Sequence, residues 1–120
     1  MTPKERLDVA ERLLERSGGA LVGLWPRACA VLVRQALEGA VDRVLREEVP
    51  GSQAANWRVK FLCLGRAIGD ERKARELAYV WGRLSEVLHR GGGAMGASEV
   101  QLRGWVERVR GVVEPVVSRG

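Results

Sequence analysis

The apolar positions of this chain recur every three or four residues along nearly its whole length, and nowhere do they alternate with period two. That pattern predicts helices and no strands. Thr2-Pro3-Lys4-Glu5 is a helix start, with a Thr cap, Pro at the first helical position and Glu at the third. Leu7, Ala10, Leu13 and Leu14 then form one apolar stripe, which Gly18-Gly19 stops or interrupts. Residues 20–25 are apolar enough to be buried, in helix or out of it. Pro26 opens a second helix, with Trp25 just outside it. Ala30, Val33, Leu37, Ala40, Val41 and Val44 give this segment the longest stripe in the chain, up to Glu48, and mark it as the central helix.

Pro50-Gly51 is a break, and Ser52 is the expected cap of a third helix whose apolar face is Trp57, Phe61, Leu62 and Leu64. Gly69-Asp70 breaks the chain again, with Asp70 as cap and Glu71 complementing the helix dipole. The fourth helix carries Ala74, Leu77, Ala78, Trp81, Leu84, Ser85 and Leu88 on one side. Residues 91–97, three glycines followed by Ala-Met-Gly-Ala, read as a flexible loop. Ser98 and Gln101 form a capping box for a fifth helix, where Leu102, Trp105, Val106, Val109 and Val113 face inward. Pro115 is expected to end or bend that helix, with frayed residues beyond it. The expected fold is all-α: a single helical-bundle domain over residues 1–120, up-and-down, of four or five helices with short connections.

Composition narrows the class. A 120-residue chain that is 46% hydrophobic has enough apolar surface for a core without staples. No apolar run approaches the ~18 residues needed to span a bilayer. The N-terminal residues mix acids with bases and lead into no signal-like apolar core, so the chain reads as cytoplasmic, with no membrane partner. Cys29 and Cys63 belong to no CxxC or Cys/His cluster and are expected to be buried, reduced thiols, with no metal. Gly91–Gly93 follows a helix and has no Lys-Ser/Thr after it, so there is no phosphate loop, and no cofactor is expected.

Charge changes the picture more. The net +5 is not evenly spread: residues 51–75 hold six basic groups (Arg58, Lys60, Arg66, Arg72, Lys73, Arg75) against Asp70 and Glu71 alone. Almost the whole excess lies in that short region, as on a surface that faces a polyanion such as RNA. A solvated basic face is the alternative.

Three constellations remain. Arg34 and Glu38 lie one turn apart beside the central stripe. Arg before Glu is the weaker order for a surface helix pair, so the two read either as a structural ion pair or as an arginine anchored to present donors in a cleft. Trp57, Trp81 and Trp105 fall on apolar stripes, but Trp57 is flanked by Arg58 and Lys60 and is placed to stack a base. His89, the only histidine, ends the fourth helical pattern six residues after Arg83. In an ideal helix that spacing separates two residues by about 120° and roughly 9 Å. A distorted last turn or a second subunit would have to bring them together. An imidazole beside a guanidinium can do acid–base work on a phosphate ester. The other reading is a helix-end histidine that contacts Ser85 or Glu86 or bonds the last carbonyls.

At these residues the chain resembles the HEPN superfamily of small all-α domains found in prokaryotic toxins, antiphage and CRISPR-linked proteins. The resemblance rests on Arg34-Gln35-Ala36-Leu37-Glu38 in the central helix and on Arg83 followed by His89 near the end of a later one. Leu84-Ser85 before the histidine fits as well. It implies a homodimer that cleaves RNA without metal, with two copies of the motif facing each other and an antitoxin or effector as a further partner. His89 would then act as base on a ribose 2′-hydroxyl or protonate the leaving oxygen. Arg83 would stabilise charge on the phosphorane-like transition state, with Arg34, Glu38 and Ser85 in support. Leu84 stands directly after Arg83, where active members often carry Asn or Asp. The same residues fit a catalytically silent helical dimerisation or interaction module, and the two readings part on whether Arg34, Glu38, Arg83 and His89 converge.

Overall fold

The computed structural model describes residues 1–15, 25–89 and 98–119. Every regular element among them is helical: α1 (Pro3–Glu15), α2 (Trp25–Glu48), a 3₁₀ turn (Ser52–Ala54), α3 (Trp57–Ile68), α4 (Glu71–His89) and α5 (Glu99–Arg119). The Gly18-Gly19 break, residues 20–24 and the glycine loop 91–97 lie outside the described residues.

α2 organises the rest. Its buried residues are Cys29, Ala30, Val33, Ala36, Leu37, Ala40, Val41, Val44 and Leu45. At 100° per residue they cover about half of the helix circumference, wider than one stripe can. A helix buried that widely must be covered from several sides, and α2 touches α1, α3, α4 and α5. α1 runs antiparallel beside it, where the Cys29 thiol approaches Ala10 O at 3.8 Å and Arg6 donates to Gln35. α4 covers another flank, also antiparallel. α5 closes over α1 and α2 with Leu102, Trp105, Val106, Val109, Val112 and Val113 inward. Arg110 ties α5 to α1 through Asp8 at 3.1 Å and Glu11 at 2.7 Å.

The caps follow the local sequence. Thr2 and Glu5 exchange hydrogen bonds at 3.1 Å each, and the bond from the Thr2 amide holds the Glu5 carboxyl below its usual range. Ser98 and Gln101 form the same box for α5. Asp70 accepts from the Lys73 amide at 2.9 Å. α3 closes on Gly69, whose φ of 69° lies in the left-handed region; its amide bonds Arg66 O and the next bonds Gly65 O. That turn reverses the chain into α4.

Four expectations need correction. Ser52 starts only the 3₁₀ turn, its hydroxyl bonded to Val49 O at 2.6 Å; the cap of α3 is Asn56, which accepts from the Val59 amide at 3.0 Å. Leu62 is 71% exposed, because Phe61 and Leu64 point to the core and Leu62 does not share their side. α2 begins at Trp25 itself. Finally, α5 continues through Pro115 to Arg119. Proline supplies no N–H to the carbonyl four residues before it, which is Gly111 O, and the Lys73 ammonium reaches that oxygen at 3.5 Å. Among the described residues no helix is long and apolar enough to cross a membrane.

The two cysteines differ. Cys63 is half-buried, whereas Cys29 is sealed in the core, where desolvation pushes its thiol from 9.0 up to about 12. The folded chain therefore holds a proton that the unfolded chain releases. Stability from this source is complete below pH 9.0 and is lost as the pH rises toward about 12. Urea unfolding of wild type and Cys29→Ala across this range tests it. The stability difference between the two should shift against the wild type as the pH climbs, and parallel profiles would show that the thiol is not desolvated.

Candidate functional site

The polar residues of interest are set by the register of α2 against α4. Two contacts fix that register. The Trp81 indole donates to Glu38 Oε2 at 2.9 Å, and Arg27 Nη1 donates to Leu88 O at 2.9 Å. Counting one turn from the Trp81–Glu38 contact along antiparallel helices places Arg34 level with Ser85, and counting from the Arg27–Leu88 contact places it level with Trp81. Arg27, Arg34 and Glu38 share one edge of α2, at spacings of seven and four residues. Trp81, Ser85 and His89 share one edge of α4, at spacings of four. The two edges face each other, forming a half-buried polar seam that begins at the C-terminal end of α4.

Within the seam the hydrogen bonding is incomplete. Glu38 Oε2 is occupied by the indole, and Arg34 Nε stands 3.9 Å from it, within ion-pair range but beyond a hydrogen bond. Arg34 Nε and Ser85 Oγ are the buried side-chain polar atoms without a partner among the described residues. Both lie at the same level of the same seam. Arg34, Glu38 and Ser85, singled out together from the sequence, are thus brought together, and Trp81 joins them.

His89 ends α4 and is exposed. Its imidazole makes no hydrogen bond to a described residue. Leu88 O at the end of the helix is served by Arg27, a residue that sequence reasoning passed over. Arg83 is on the other side of α4, bonded through Nη1 to Glu86 Oε2 at 2.9 Å. Arg83 and His89 do not meet within one chain, as the six-residue spacing foretold. Among the described residues, the guanidinium across the seam nearest in register to the histidine is that of Arg27.

The basic region divides as well. Lys60 is buried; its ammonium bonds Asp42 at 2.8 Å and lies 4.2 Å from the Trp57 ring centre, so it braces α3 against α2 and does not face outward. Lys73 is turned to α5. Arg58, Arg66, Arg72 and Arg75 are exposed on the α3–α4 hairpin and form no ion pair with a described residue. Trp57 is half-buried against Phe61 and Trp81, with ring centres about 6 Å apart. The aromatic that is open among the cations is Tyr79, 61% exposed. It shares the outer face of α4 with Arg72, Arg75 and Arg83, at helical spacings of three and four. The spacing was visible in the sequence, but it needed the knowledge of which face is outward.

No known protein family, no curated protein and no solved structure matches the chain.

The seam makes a stability prediction. Ser85→Ala removes a buried hydroxyl that has no partner and adds a better helix former, so it should raise stability by about 0.5–1 kcal/mol. Trp81→Phe keeps an aromatic ring but takes the donor from a carboxylate, and should lower stability by roughly 1.5–3 kcal/mol. Denaturant melts check both, and a loss of stability in Ser85→Ala would mean that the hydroxyl is bonded.

Proposed function

We propose that this chain is a HEPN-like helical domain that acts on RNA as a homodimer. One observation carries the reading: four exposed arginines on the α3–α4 hairpin, Arg58, Arg66, Arg72 and Arg75, have no acidic partner among the described residues, and an open tyrosine lies among them. A polyanion supplies the missing charge, and the ring offers a stacking surface for a base.

Cleavage is the finer part of the proposal. His89 is exposed and makes no hydrogen bond to a described residue, so its imidazole is placed to take a 2′-hydroxyl proton and return it to the leaving oxygen. Charge on the phosphorus oxygens needs a guanidinium. In the resemblance that role falls to Arg83, which lies on the far side of α4 and is bonded to Glu86, so it would have to act from a second copy of the chain. A toxin or antiphage setting in the cytoplasm, with an antitoxin partner, is the context this implies. The engagement of Arg83 with Glu86 also favours a second reading, a non-catalytic interaction domain.

The test is incubation with total RNA in the absence of divalent metal, with wild type beside His89→Ala, after sedimentation has fixed the oligomeric state. RNA binding should weaken with salt, with a log–log slope of about −0.7 per contacted phosphate, near −3 for four arginines. His89→Ala should abolish cleavage and leave the dimer and the binding intact. Cleavage that survives the substitution ends the catalytic version, and wild type that binds RNA without cutting it leaves the interaction domain.

A further inference from the structure

Between α3 and α4 lies a groove of about 270 Å³, lined by Arg58, Phe61, Leu62, Gly65, Glu71, Ala74, Arg75 and Ala78. The helices are antiparallel, so the groove has two distinct ends. Arg58 and Ala78 are at one end, Gly65 and Glu71 at the other, with Leu62 and Arg75 on opposite walls. The floor is Phe61, held from behind by Trp57 and Trp81 at ring-centre distances of 6.0 and 6.2 Å. Gly65 lies at the far end, where a Cβ would stand 3.2 Å from Glu71 Cα and 3.3 Å from Ala74 Cβ, tighter than ordinary van der Waals contact. Its absence lets the helices close behind the groove without filling it.

The charges on the walls are unspent. Glu71 and Arg75 are one turn apart on α4 in a favourable order, yet among the described residues they form no ion pair, and neither does Arg58. The groove thus offers an apolar, preformed floor, two guanidinium groups along it and one carboxylate at its far end, none of them in an ion pair with a described residue. Its volume is just below the ~300–1,000 Å³ of sites for drug-sized ligands, so it admits a single flat group and not the row of side chains that a docked helix presents.

We infer that this groove is a subsite for one nucleotide of single-stranded RNA, with the base on Phe61, its amino edge toward Glu71, and its phosphate between Arg58 and Arg75. The assignment rests on the RNA reading above and gives it a place and a direction. A carboxylate accepts from the exocyclic amines of cytosine, adenine and guanine and has nothing to offer the O4 of uracil. It also repels phosphate, which leaves the Arg58 end for the backbone. Unstacked bases laid on aromatic rings and read along their pairing edges are the usual mode for single-stranded RNA.

The experiment is fluorescence anisotropy with short oligocytidylate and oligouridylate at low salt, on the whole chain. Oligocytidylate should bind more tightly than oligouridylate by about five- to tenfold, the lower part of the range for one good base contact. Glu71→Gln, which can donate to uracil, should narrow that preference. Leu62→Glu and Arg75→Glu alter exposed side chains, so the fold stays intact, and each should weaken both oligonucleotides about tenfold or more. Lys4→Glu is the charge control: it makes the same charge change as Arg75→Glu on α1, which touches neither α3 nor α4, and should have a much smaller effect. If wild type binds neither oligonucleotide, the RNA reading and the subsite fall together. If wild type binds but Leu62→Glu and Arg75→Glu behave like Lys4→Glu, the subsite alone falls. Equal affinity for the two sequences overturns the Glu71 contact. Displacement of the RNA by polyglutamate as readily as by unlabelled oligocytidylate overturns the nucleotide in favour of an acidic protein segment.

Discussion

The architecture depends on the width of the apolar surface of α2. A helix with one narrow stripe can be satisfied by one partner. α2 buries about half of its circumference, from Ala36 round to Leu45, and each flank needs its own cover. α1 and α5 take one side, and α4 with α3 takes the other. The small residues Cys29, Ala30, Ala36 and Ala40 let these neighbours approach closely. Arg27, Arg34 and Glu38 lie along one border of the buried half, on the side that α4 covers. Their convergence with α4 is therefore a consequence of packing. Once Leu37, Val41, Leu77 and Leu84 meet in the core, the polar positions beside them are forced to face one another.

That origin explains why the seam is imperfectly bonded. Buried polar groups selected only for stability find partners, because an unmet donor costs about as much as a hydrogen bond gains. Here Glu38 is committed to the indole of Trp81, and Arg34 Nε and Ser85 Oγ remain without partners one turn away. The neighbouring Lys60–Asp42 pair, on the next stretch of α2, is fully made at 2.8 Å. The same helix thus carries one polar contact that braces the fold and another that leaves Arg34 Nε without a partner among the described residues. The two groups differ in bonding, although in the sequence both are charged residues on a helix edge.

Much of the fold was legible in the chain because it is written locally. The capping boxes at Thr2 and Ser98, the Asp70 cap and the break at Gly69 all act within four residues of themselves, and each is found as read. The inward set of α5 followed from its period alone. The errors arise where distant contacts decide. Leu62 is apolar, but the packing of Phe61 and Leu64 turns it outward. Pro115 lacks a donor, but Lys73, distant in sequence, supplies one to the abandoned carbonyl. The site was legible in its parts and not in its assembly. Arg34, Glu38 and Ser85 were visible as candidates, whereas their meeting depends on an antiparallel register fixed by Trp81 and Arg27. Lys60 looked like its basic neighbours and is an internal strut. Tyr79, which looked unremarkable, is the open ring among the arginines.

The distribution of charge follows the same division. α3 touches α2 and α4 but neither α1 nor α5, so the hairpin it forms with α4 keeps a long outer face that no described helix covers. On α5, Arg103 is balanced by Glu99, Arg108 by Glu76 and Arg110 by Asp8 and Glu11. On the hairpin, Arg83 is paired with Glu86, while Arg58, Arg66, Arg72 and Arg75 form no ion pair with a described residue. Like charges held within about 10 Å of one another repel through physiological salt, and nothing in the fold requires them there. Packing explains where that face is, and it does not explain why the face is left positive. The anion of the proposed function would account for it, with the groove along the hairpin as its floor.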